Sequence, residues 1–166
     1  MIGGITFMGW FHTILGIPAI IAGLYLLIKD RFIIMDAGLA KFYLLATLIT
    51  SASSLFIYRA TGSFNTAHIL SVITILAILF AYILHRHKIF GFLNVYLKQL
   101  ALTGTVFFSM LPTTAEVLQR VPPNKPFASS IEDPLVQNFY MSYVVIFGVF
   151  AIYQIIKLSK GDVDGI

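Results

Sequence analysis

Hydrophobic residues in this chain fall in long blocks separated by short polar connections, without the strict alternation of a half-buried strand. A helix needs about 20 mostly apolar residues to cross a hydrocarbon core. Five stretches approach that length, at approximately 7–28, 42–58, 67–85, 93–118 and 135–157, and the second is the shortest. The pattern predicts an all-α integral membrane protein, a single bundle of about five transmembrane helices over residues 1–166, with no internal repeat or domain boundary.

Two connections carry content. Residues 29–41, KDRFIIMDAGLAK, mix charge with an apolar Phe-Ile-Ile-Met cluster and read as a short segment lying in the membrane interface. Residues 121–134, VPPNKPFASSIEDP, hold four of the six prolines, must leave helix geometry, and form the longest piece outside the membrane. Basic residues set the orientation. Lys29, Arg31, Lys41, Arg86, Lys88, Lys98, Lys157 and Lys160 fall on one side, whereas Arg59, Arg120 and Lys125 fall on the other. The positive-inside bias makes the first side cytoplasmic, with the N-terminus outside and the C-terminus inside. The opening MIGGITF lacks a basic n-region and a small-residue cleavage site, so the first span reads as retained.

Composition agrees with this picture and removes some chemistry. With 58% hydrophobic and 11% charged residues, and a mean hydropathy of +0.90, the chain departs from soluble domains, which carry roughly 25% charged residues. Its expected solvent is the lipid bilayer. The net charge of +4 comes from clusters beside apolar runs, so nucleic acid is not an expected partner. There is no cysteine, so a metal or haem would need His, Met, Tyr or carboxylate ligands. GxSxG, HExxH, phosphate-loop and dinucleotide motifs are absent, which leaves a hydrolase or nucleotide-driven pump unsupported and favours a non-enzymatic role.

The polar residues inside the spans form stripes. His12, Gly16, Ala19 and Gly23 share one helical face, and the small residues would let a neighbouring helix approach closely. Thr47, Ser51, Ser54 and Tyr58 form a second stripe, and His68, Ser71 and Thr74 a third. His12 and His68 are expected at similar depth near the outer side, where Pro112, Glu116, Arg120 and Arg59 also belong. They define a candidate outer vestibule, with His12 and His68 as cofactor ligands for haem and His12, His68 and Glu116 as ligands for a divalent or copper ion. No residue stands out as catalytic. Simpler roles compete: His12 bonded to a neighbouring helix, His68 near a helix start capped by Thr66, and Glu116 paired with Arg120 one turn on. His85, His87 and Lys98 read as snorkelling groups at the cytoplasmic end. Pro18 and Pro112 would kink their helices and free carbonyls near residues 14 and 108 to line a cavity.

The segments HTILGIPAIIAG, LAKFYLLATLITSASSLFI, HILSVITILAILFAYIL and YLKQLALTGTVFFSMLPT, in that order, resemble the small bacterial membrane proteins grouped as domain of unknown function 2306. The resemblance covers roughly residues 9–120 and implies a multi-helix bundle in a bacterial inner membrane; His12, Gly16, Tyr43 and His68 match its arrangement. This chain departs from it at Met35–Asp36 and at Asn94, where the family pattern has histidines. Three functional readings stay open. They are a metal- or haem-binding protein, a small-solute or lipid carrier or channel subunit, and an assembly partner whose glycine face docks a homo-oligomer or larger membrane complex.

Overall fold

The computed structural model describes residues 6–57 and 62–161. Five helices follow one another: α1 Phe7–Lys29, α2 Gly38–Ser54, α3 Thr66–Arg86, α4 Leu93–Arg120 and α5 Pro134–Ser159. Among the described residues there is no strand. Local chemistry explains the starts. The Thr6 hydroxyl accepts the Gly9 N–H at 3.1 Å and opens α1. Asp133 accepts the Leu135 N–H at 3.0 Å and opens α5, with Pro134 at a first-turn position that has no N–H to satisfy. The cap of α3 is Asn65, one residue ahead of the expected Thr66, because its Oδ1 reaches both Ala67 N (2.9 Å) and His68 N (3.3 Å).

Four helices, α1, α3, α4 and α5, are long and apolar enough to cross a membrane. The 17 residues of α2 lie about four positions earlier at each end than the apolar run suggests. At about 1.5 Å per residue they rise roughly 26 Å. Residues 55–57 then tighten into turns, with Phe56 N bonded to Ser53 O at 3.1 Å. Much of α2 faces protein, with Tyr43, Thr47, Thr50, Ser51 and Ser53 buried, which explains why its sequence is less apolar than that of its neighbours.

Helices α1 to α4 form a ring: α1 packs on α2, α2 on α3, α3 on α4 and α4 on α1, while the diagonal pairs α1/α3 and α2/α4 do not pack backbone to backbone. Tyr43 crosses one diagonal. Its hydroxyl meets the Thr105 hydroxyl on α4 at 2.6 Å, and its ring fills a notch at Gly23, where a Cβ would sit 2.6 Å from Tyr43 Cε2. At Gly16 a Cβ would sit 3.1 Å from Thr50 Cγ2. Along α1, therefore, the glycine face meets α2 of the same chain. Tyr43→Phe should remove only the hydroxyl pair and cost about 1 kcal/mol, measured by denaturant unfolding in mixed micelles.

Helix α5 lies outside the ring and packs along α4, burying only Val136 and Gln154 among its side chains. Its remaining surface is largely exposed and apolar, as expected of a helix solvated by lipid. The 121–133 connection folds back on the end of α4, where Ala128 N bonds to Leu118 O at 3.0 Å and Ala128 packs with Ala115 and Val136.

The 30–37 connection packs into one end of the ring. Arg31 takes a left-handed φ of 64°, and the next two residues, Phe32 and Ile33, are buried, Ile33 completely at 0% exposure. Irregular backbone at that depth needs internal partners. Gln99 on α4 supplies both for Ile33: its Oε1 accepts the Ile33 N–H at 3.3 Å and its Nε2 donates to the Ile33 carbonyl at 3.2 Å. Gln154 on α5 donates to the Arg31 carbonyl at 2.7 Å and accepts the Thr103 hydroxyl at 2.9 Å. The connection is thus a plug in one end of the ring.

Candidate functional site

Where the ring's diagonals do not touch, space remains. A cavity of about 80 Å³ lies in the half of the ring away from the plug. Its walls come from all four helices: His12 and Gly16 on α1, Thr47, Thr50 and Ser51 on α2, Ser71 and Thr74 on α3, and Phe108, Ser109, Pro112 and Thr113 on α4.

The direction of the hydroxyl groups determines what this cavity can hold. Thr74 donates to Leu70 O at 2.7 Å, Ser71 to Ala67 O at 2.9 Å, Ser109 to Thr105 O at 2.8 Å and Thr113 to Ser109 O at 2.8 Å. Thr50 donates to the Ala46 carbonyl in the same way. A hydroxyl has one hydrogen, so Thr50, Thr74, Ser109 and Thr113 use their donors on their own helices and keep lone pairs for a ligand, while Ser71 is also bonded to Ser54 on α2. Pro112 has no N–H for the Phe108 carbonyl, which releases a further acceptor beside the cavity.

His12 follows the same logic. Its Nδ1 lies 3.1 Å from the Thr50 carbonyl and 3.2 Å from Ser53 Oγ. Ser53 donates its own hydrogen to Thr50 O at 2.8 Å, so both neighbours accept and Nδ1 is the donor. In the neutral imidazole Nε2 is then an acceptor. The Glu116 carboxylate lies within electrostatic reach of the ring while its Oε2 pairs with Arg120 Nε at 2.5 Å. The cavity is an acceptor-rich site suited to a small hydrogen-bond donor; Glu116 lies off its wall with Arg120 as its counter-charge.

His68 sits elsewhere. It is buried at the start of α3, where Nδ1 accepts the Asn65 N–H at 3.2 Å and the ring stacks on Phe64 with centroids 5.1 Å apart. It is not on the cavity wall, and its helix does not pack on that of His12. Among the described residues no group of three His, Asp or Glu side chains is placed to hold a metal ion, so His12, His68 and Glu116 do not converge as one set. Tyr58 and Arg59 lie outside the described residues. Of the expected stripes, Thr47, Ser51, Ser71 and Thr74 do reach the cavity, and Ser54 bonds to Ser71 at 2.5 Å. Thr50, Ser109 and Thr113 were not anticipated. The signal for the last two was a four-residue spacing running Thr105, Ser109, Thr113 along α4.

At the other end of the ring a second cavity of about 580 Å³ borders the plug. Along α4 it ends at Gln99, nine residues and about 14 Å short of Phe108 on the first cavity. Buried Leu102, Val106, Ile78, Ala81 and Tyr43 fill the layer between them. No family model matches the chain, and neither a curated protein nor a solved structure does, so the resemblance noted above rests on the quoted residues alone.

Proposed function

We propose that this protein is a multi-pass membrane carrier or channel subunit that takes up a small hydrogen-bond donor, such as a protonated amine or water, in the acceptor-lined cavity. The observation that carries this reading is the shared direction of four wall hydroxyls, Thr50, Thr74, Ser109 and Thr113, each donating to its own helix and presenting lone pairs to the space. In this reading α2 is the fifth span, its short apolar run compensated by burial within the ring. The basic connections face the cytoplasm of a bacterial cell, and the polar cavity opens from the outer half of the inner membrane. A closed layer beneath the cavity suits a carrier caught between its two openings.

Ligation of a metal ion or haem by His12 and His68 is supported less well, because about 80 Å³ is far too small for a porphyrin and only one of the two rings borders it. An assembly role for the glycine face is also weaker, because Gly16 and Gly23 are occupied from within the chain.

Methylammonium and tetramethylammonium test the reading, since they share a charge but only the first has N–H donors. The thermal stability of the purified protein in neutral detergent should rise with methylammonium chloride, by about 2.7 kcal/mol at a hundredfold excess over Kd, and should not rise with the tetramethyl salt at equal ionic strength. The isosteric double variant Thr74→Val/Thr113→Val should fold and lose the effect. Equal responses to both salts, or a response unchanged in the double variant, would contradict the proposal.

A further inference from the structure

We propose that the large cavity bordering the plug binds the phosphate of an anionic phospholipid, a site independent of the solute cavity. Its walls combine two chemistries. Lys88 from the α3–α4 turn and Lys98 from α4 supply positive charge, and Ile34, Met35, Phe92 and Val95 supply apolar surface. Such a mixture fits an amphiphile better than a free anion. Asp36 is the one carboxylate on the wall; it is 75% exposed at the rim and lies 3.4 Å from His85 Nε2. Lys88 is exposed at the mouth and Lys98 partly buried, so two lysines stand against one rim carboxylate around the opening.

The cavity is a built feature. Gln99 holds the plug on one side, and Asn94 donates to the Leu84 carbonyl on the other, tying α4 to the end of α3. Lys98 is more than a turn inside α4 and partly buried, with Asp36 at the rim as the carboxylate in electrostatic reach. Two lysines thus share one rim carboxylate, and a phosphate would supply a second negative charge. Beside the opening, Ile89, Phe90 and Phe92 are exposed on the turn, and these apolar side chains would place it among acyl chains and headgroups. Basic pockets between membrane helices on the positively charged side are a recognised setting for anionic headgroups.

Native mass spectrometry of the purified protein in neutral detergent tests this, with phosphatidylglycerol and phosphatidylcholine of matched chains offered together. We expect retention of phosphatidylglycerol to exceed that of phosphatidylcholine by about tenfold, from two lysines near the phosphate. Lys88→Gln/Lys98→Gln should abolish the preference, and Lys125→Gln at the other face should leave it. Lys88 is exposed, so Lys88→Gln alone, with about a threefold loss expected, decides the matter if the double variant does not fold. Equal retention of the two lipids would overturn the proposal, as would a preference that survives both lysine changes. Competition by inorganic phosphate at a concentration matching the lipid would show a free-anion site and overturn the lipid assignment.

Discussion

Gln99→Leu is expected to destabilise the protein by about 4 kcal/mol, more than any other single change of similar volume. Gln99 serves both backbone groups of Ile33. Leucine would leave the N–H and C=O of the fully buried Ile33 without their partners, at about 1–3 kcal/mol each. The loss should be localised. Hydrogen exchange at residues 31–35 should accelerate before global unfolding, while the α3–α4 contact keeps its protection. Denaturation in mixed micelles combined with residue-resolved exchange checks both parts, and a variant with native stability and a protected plug would show that the glutamine clamp does not hold that connection.

Gly23→Val should have the next largest effect, about 2–4 kcal/mol. A Cβ at that position would come within 2.6 Å of the Tyr43 ring, which is buried between α1 and α4 and bonded to Thr105. The ring cannot yield without breaking that bond and opening the layer between the two cavities, an overpacking cost combined with a lost polar pair. Two controls isolate the cause. Gly16→Ala meets only a Thr50 methyl at 3.1 Å and should cost less, since a methyl group can shift by tenths of an ångström. Gly148→Ala meets nothing within 4 Å and should be neutral or slightly stabilising. Unfolding midpoints that rank the three in any other order would remove Tyr43 as the explanation.

The parts legible in the sequence were those set by local periodicity. Apolar runs located four long helices to within a few residues, and the three-and-four spacing of His12/Gly16 and of Ser71/Thr74 placed them correctly on a shared interior surface. The ion pair of Glu116 with Arg120 was readable for the same reason, since the two are one turn apart. Contacts made across the bundle were not readable. Gln99 and Gln154 stand out as lone amides in apolar stretches, but their partners are 66 and 123 residues away, at Ile33 and Arg31. Without those partners, the burial of Phe32 and Ile33 within KDRFIIMDAGLAK is not legible. His85 looked like a snorkelling group for the same reason, although it lies against Asp36. His68 is oriented by the Asn65 cap of its own helix and lies off the cavity wall that His12 borders, a placement that depends on side-chain contacts and not on spacing. The direction of the wall hydroxyls depends on each residue's bond to its own helix, which composition does not reveal.

Donor uptake through the acceptor-lined cavity is measured by radiolabelled methylammonium entry into proteoliposomes at mildly acid pH, where the amine stays protonated, beside tetramethylammonium and protein-free vesicles. A carrier that uses this cavity should show saturable methylammonium uptake that depends on the protein, is absent for the tetramethyl ion, and is lost in Thr74→Val/Thr113→Val. Uptake no faster than in protein-free vesicles, or uptake of both ions at the same rate, would contradict that role.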